Sequence, residues 1–254
     1  MTSKKRDILS LIGLIFYIPA VILICDFSVS RWVPREFAQL VDDVLIFGIA
    51  YFLNSRYLKL DIHFFNIKHI PSQILNSIPG IIMLLLFKHF NNVGVTKNFV
   101  VLLITVIMVG VAEEFTYRGL MLPLVERIFK GKLFLAVLIS SIGFGLTHLV
   151  NLFNEPLHVA VFQILLAIAS GMLYGGIYVT THNLTIPIIL HVLGDVPVML
   201  SKTPSTDSNS LVKMGSSDIM GLTLFLCGLV AITCLVAFIQ LHIYKKRHKN
   251  NQFV

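Results

Sequence analysis

Apolar residues fall into eight blocks, 8–25, 39–54, 73–88, 99–126, 133–152, 158–180, 184–200 and 218–243, separated by short polar connections. A bilayer core is crossed by roughly 20 helical residues. Within lipid a helix satisfies every backbone donor and acceptor internally. The pattern therefore predicts an all-α, polytopic integral membrane bundle of about eight transmembrane helices, with 1–254 as a single membrane domain. The third block is short for a span.

Composition strengthens this reading. Hydrophobic residues make up 56% of the chain and charged residues 13%, with mean hydropathy +0.84; soluble domains run at about 25% charged. Basic Lys4-Lys5-Arg6 ahead of an apolar run resembles a signal peptide, but Ile18-Pro19-Ala20 continues into Val, Ile and Leu without a small-x-small cleavage site, so the first block reads as a retained span. Cys25, Cys227 and Cys234 form no CxxC pair and read as packing residues.

The net charge of +7 does not point to nucleic acid, because its distribution follows the spans. Alternate connections and both tails hold Lys4, Lys5, Arg6, Arg56, Lys59, Lys68, Arg118, Arg127, Lys130, Lys132, Lys245, Lys246, Arg247 and Lys249. The opposite set holds only Arg31, Arg35, Lys88, Lys97, Lys202 and Lys213. The positive-inside rule then places both termini in the cytoplasm of a cell-membrane protein. The polar loop Lys202 to Asp218 falls outside.

Three polar constellations interrupt the apolar pattern. Glu113 and Glu114 lie inside the fourth block, where an acidic residue near a bilayer centre costs about 2.5 to 3.5 kcal/mol and demands a function. On a helix Glu114 and Arg118 share a face, while Glu113 points about 100° away. The second constellation is Phe144-Gly-Leu-Thr-His148 and the third His191-Val-Leu-Gly-Asp195, whose two polar residues again share a helix face. For His148 alone, a hydrogen-bonded packing role stands beside a functional one. The midpoint between Glu113 and His148 is Lys130-Gly131, a natural tight turn, so helices rising about 1.5 Å per residue carry both to one depth. His191 follows the connection Thr181-His182-Asn183, on the same predicted side. Such carboxylates and imidazoles suit water activation, with a metal or by acid-base chemistry and oxyanion stabilisation.

The pattern EExxxR, FxxxH, HxxxD over about residues 99–200 resembles the CPBP intramembrane proteases, which include CAAX prenyl endopeptidases and bacterial enzymes linked to bacteriocin processing and self-immunity. The resemblance implies a motif-bearing catalytic core at 99–200. In it Glu113 activates water, Glu114 and Arg118 orient it, and His148 and His191 bind a metal or stabilise the transition state. Asp195 stands where the prenyl endopeptidases have Asn; a carboxylate can ligate a metal or orient a histidine, but is a poor oxyanion donor. Zinc or another divalent ion on His148, His191 and Asp195 is one implied arrangement. The implied substrate is a membrane-proximal peptide or lipidated protein, and the implied partner surface the lipid bilayer.

Other membrane-protease signatures fail. No His is followed by Glu as HExxH requires, position 192 is Val where GxGD needs Gly, and Ile168 occupies the first position of a GxSG around Ser170. His63, His69, His89, His158, His182, His242 and His248 read as solvated or interfacial, and Asp42 and Asp43 as charges opening the second span. Ser170, Gly171, Gly175 and Gly176 give small-xxx-small spacing suited to close helix packing. Two rivals to a protease use the same residues: a non-catalytic immunity or binding protein, and a proton-coupled transporter, for which matching broken-helix halves are not evident.

The topology is directly testable. A reporter fused after Asn250 should be cytoplasmic; a reporter found outside the cell would reverse the charge-based orientation.

Overall fold

The computed structural model describes residues 3–28, 32–88, 90–91, 93–95, 98–200 and 211–250. The expectations for His89, for most of the loop Lys202 to Asp218 and for the side chain of His248 fall outside that set.

The described residues form a bundle of eight long helices: α1 (Ser3–Ser28), α2 (Arg35–Leu53), α3 (Ile70–Phe87), α4 (Phe99–Ile128), α5 (Leu133–Thr147), α6 (Leu157–Thr181), α7 (Thr185–Met199) and α8 (Ser216–Asn250). A 3-10 turn, His148–Phe153, prolongs α5. Six helices are long and apolar enough to cross a bilayer. The remaining two match the second and seventh predicted spans but are atypical. α2 carries Glu36, Asp42 and Asp43, and α7 has only 15 residues, about 22 Å of helix against a hydrocarbon core of about 30 Å. α2 also begins at Arg35, so Asp42 and Asp43 stand about two turns inside it rather than at its start. Exposed Ile24, Leu85, Leu224 and Phe238 are among the many apolar side chains on the outer surface. In water they would be a liability; in a multi-pass membrane protein they face lipid.

One end of the bundle is tied together by polar contacts. Arg127 of α4 pairs with Asp7 of α1 at 2.9 Å. Lys245 of α8 donates to the carbonyl of Gly131, within the predicted α4–α5 turn, where Lys130 and Gly131 adopt φ of 53° and 77°. Glycine suits the second of these left-handed positions because it has no Cβ to strain. The extended segment after α2 docks on the start of α7: the amides of Leu184 and Thr185 donate to the carbonyls of His63 and Phe64. Asn66 donates to the Thr181 carbonyl and Asn183 to the Gln73 side chain. This network fixes the start of α7, and therefore the depth of every residue along it.

α6 packs most extensively on α8 and α5, and glycines permit the close crossing expected from its small-residue spacing. A Cβ built on Gly171 would lie 2.9 Å from Ser141 Cβ and 3.1 Å from its Cα. On Gly145 it would lie 3.0 Å from the Ile164 carbonyl oxygen. Backbone atoms cannot retreat as a flexible side chain can. Gly171→Val should therefore lower the thermal stability of the detergent-solubilised protein by about 1 to 3 kcal/mol. Gly228→Val, where nothing lies within 4 Å, should not lower it in this way; equal melting of the two variants would refute this account of the crossing.

Candidate active site

The site begins where α4 changes pitch. Phe99–Glu114 is α-helical, but Phe115–Met121 widens into a π segment, with the amide of Leu122 reaching back to the Tyr117 carbonyl. Pro123 lies just beyond; without an N–H it cannot continue the ladder, and the wider register absorbs that defect. Ser140 of α5 donates to the same Tyr117 carbonyl at 2.7 Å. π segments inside α-helices occur frequently at functional sites; this one begins directly after the Glu113-Glu114 pair.

Glu114 and Arg118 are 0% and 1% exposed and joined at 2.7 Å, Arg118 Nη1 to Glu114 Oε1. The guanidinium lies over the Phe144 ring, 4.7 Å from its centroid, and 5.6 Å from that of Tyr174. Aromatic faces attract the cation most when water is excluded. Tyr117 reaches Thr147 with its hydroxyl, holding α5 against the π segment.

His191 is the hub. Its Nδ1 lies 2.7 Å from Glu114 Oε1, and its Nε2 lies 3.3 Å from both Glu113 Oε2 and Asp195 Oδ2. A small residue makes this meeting of α4 and α7 possible: a Cβ on Gly110 would stand 2.7 Å from Val192 Cγ2 and 3.5 Å from the Ile188 carbonyl oxygen. Glu113 keeps 18% of its side chain exposed, whereas Glu114 is sealed. The two adjacent acids thus occupy different environments, one open to water and one locked to a cation.

Glu113, Glu114, Arg118, His191 and Asp195 are thus in one contact network. His148 stands one ring away. Phe144 is 5.7 Å from both His148 and His191, ring centre to ring centre, and His148 reaches Asp195 only electrostatically. Its Nδ1 is buried without a hydrogen-bond partner among the described residues.

The zinc or other divalent-metal set expected from His148, His191 and Asp195 is only partly brought together: His191 Nε2 and Asp195 Oδ2 lie 3.3 Å apart, while His148 stands across the Phe144 ring. Among the described residues no group of three His, Cys, Asp or Glu side chains is placed to hold an ion.

Three residues escaped the sequence reading. Tyr174 flanks Arg118 and His191, but a single tyrosine in a span carries no sequence signal. Lys88, at the end of α3, lies beside Gly194, its Cε 3.9 Å from a Cβ built there, and interacts electrostatically with Asp195, a proximity made only by the fold. Asp43 of α2 is buried and interacts electrostatically with Glu113, His191 and Asp195; an acid within an apolar block was the signal, the same one that marked Glu113.

Because Arg118 is buried, removing it strands Glu114 and should cost roughly 3 to 5 kcal/mol. Arg118→Met should sharply reduce monodisperse protein on size-exclusion chromatography, and adding Glu114→Gln should recover part of it. Full accumulation of Arg118→Met would show that the pair is not desolvated.

Comparison with known proteins agrees with the motif order. No curated protein matches the chain. Residues 95–196, which hold every motif residue from Glu113 to Asp195, match the family described as type II CAAX prenyl endopeptidase Rce1-like. The segment from α4 through α7 that builds this contact network is thus the part of the chain that is similar to a CAAX-protease family.

Proposed function

We propose that the protein is an intramembrane endopeptidase in which Glu113 activates a water molecule against a peptide bond. The observation that carries this reading is the division between the two neighbouring acids: Glu114 is sealed and held by Arg118 and His191, while Glu113 is held at one oxygen and remains partly open. The locked acid orients; the open acid reacts.

In this mechanism Glu113 removes a proton from water as the oxygen attacks the carbonyl carbon. The tetrahedral intermediate then collapses as the C–N bond breaks, and the proton held by Glu113 passes to the leaving nitrogen. His191 orients Glu113 through Nε2, while Glu114, fixed by Arg118, holds the other side of the ring. Asp195 restrains the imidazole from the next turn of α7. His148, with a buried nitrogen open to a partner, stabilises the oxyanion. A preorganised donor there acts in a water-poor site and needs no reorganisation.

The substrate class is a membrane-proximal peptide or lipidated protein, reached within the bilayer. Bacteriocin processing or self-immunity is the setting that the motif resemblance favours.

Glu113→Gln keeps the side-chain shape but removes the base. It should reduce peptide hydrolysis by roughly 10²- to 10⁴-fold while leaving melting temperature and elution volume unchanged. Retained hydrolysis in that variant would assign the base elsewhere; graded, partial loss of function without any peptidase activity would favour a non-catalytic binding protein.

A further inference from the structure

Asp43 is more than nine-tenths buried, at 7% exposure, on the face of α2 that also buries Ile46 and Ala50. Its Oδ2 has no hydrogen-bond partner among the described residues, although Asp43 interacts electrostatically with Glu113, His191 and Asp195. The adjacent Asp42 differs, because the Cys25 thiol donates a hydrogen bond to it.

The cations around the site are committed elsewhere. Arg118 is paired with Glu114, and His191 is surrounded by Glu113, Glu114 and Asp195. Lys88 lies on the Asp195 side, with its Cε 3.9 Å from a Cβ built on Gly194. Among the described residues Asp43 is therefore a buried acid coupled to other carboxylates, and the cation coupled to it, His191, is already shared with Glu113, Glu114 and Asp195. A buried carboxylate is costly unless paired, and a cationic ligand can supply the partner.

We propose that Asp43 is a substrate-binding residue whose carboxylate receives a lysine or arginine side chain of the peptide, close to the bond attacked by Glu113-activated water. Membrane-proximal peptides carry this chemistry by their nature, because lysine and arginine cluster where apolar segments meet the interface. The inference rests on the hydrolytic reading above and adds the charge preference of its substrate.

The test uses the full chain in lipid nanodiscs and dye-labelled apolar peptides that differ at one position, bearing lysine, norleucine or glutamate there. The varied position is moved stepwise along the peptide. At one position the parent should cleave the lysine peptide roughly 10- to 100-fold more efficiently than the norleucine peptide, through a lower KM, and the glutamate peptide least. Asp43→Asn should collapse the ratio between the lysine and norleucine peptides, through a higher KM for the lysine peptide, and relieve the penalty on the glutamate peptide; Asp43→Glu should retain the order. Equal losses on all peptides in Asp43→Asn, or a parent indifferent to lysine at every position, would overturn the proposal. Binding measured by fluorescence anisotropy in the Glu113→Gln background separates the two claims. Binding that depends on lysine and Asp43, without cleavage by the parent, keeps the cation subsite and removes the hydrolytic reading; cleavage without charge preference does the reverse.

Discussion

Burial of the Glu114–Arg118 pair is the constraint on which the rest of the site depends. Neither side chain reaches water, and an isolated charge at that depth would cost several kcal/mol. The fold therefore surrounds the pair with compensation: the Phe144 and Tyr174 rings against the guanidinium, and His191 Nδ1 on the carboxylate. Each compensating group comes from a different helix, so neutralising one ion pair fixes α4, α5, α6 and α7 relative to one another. Glu113 inherits its position from that arrangement, being one residue away on a helix already locked.

Close packing and polar tethering supply the remaining precision. Gly110 lets α7 approach α4, and Gly145 and Gly171 let α5 approach α6. At one end of the bundle, backbone bonds from Leu184 and Thr185 to the segment after α2 set where α7 starts. The depth of His191 and Asp195 thus follows from hydrogen bonds made several residues earlier. A helix of 15 residues would be a poor independent span; here its place is set by protein contacts rather than by matching the thickness of the lipid.

Much of this was legible in the sequence because membrane helices obey simple rules. The apolar blocks gave the helices, Lys130-Gly131 gave the α4–α5 turn, and the four-residue spacings placed Glu114 with Arg118 and His191 with Asp195. What was not legible depended on rotation about helix axes and on contacts between helices. Asp43 read as a helix-opening charge because the start of α2 was set four residues late. His148 shared the motif pattern but stands across the Phe144 ring from His191, a matter of rotation about the α5 axis that spacing along the chain does not fix. The expected metal set was legible by residue type, but that His148 stands across Phe144 from His191 and Asp195 is set by helix rotation, which residue type does not carry.

The central claim is that this buried cluster directs water onto a peptide bond. The most direct measurement incubates the purified protein in lipid nanodiscs with apolar peptides in H₂¹⁸O and analyses the products by mass spectrometry. The account predicts cleavage with one ¹⁸O in the newly formed carboxyl terminus of the product, delivered by a single water. Correctly folded protein that yields no cleavage product under these conditions would contradict it.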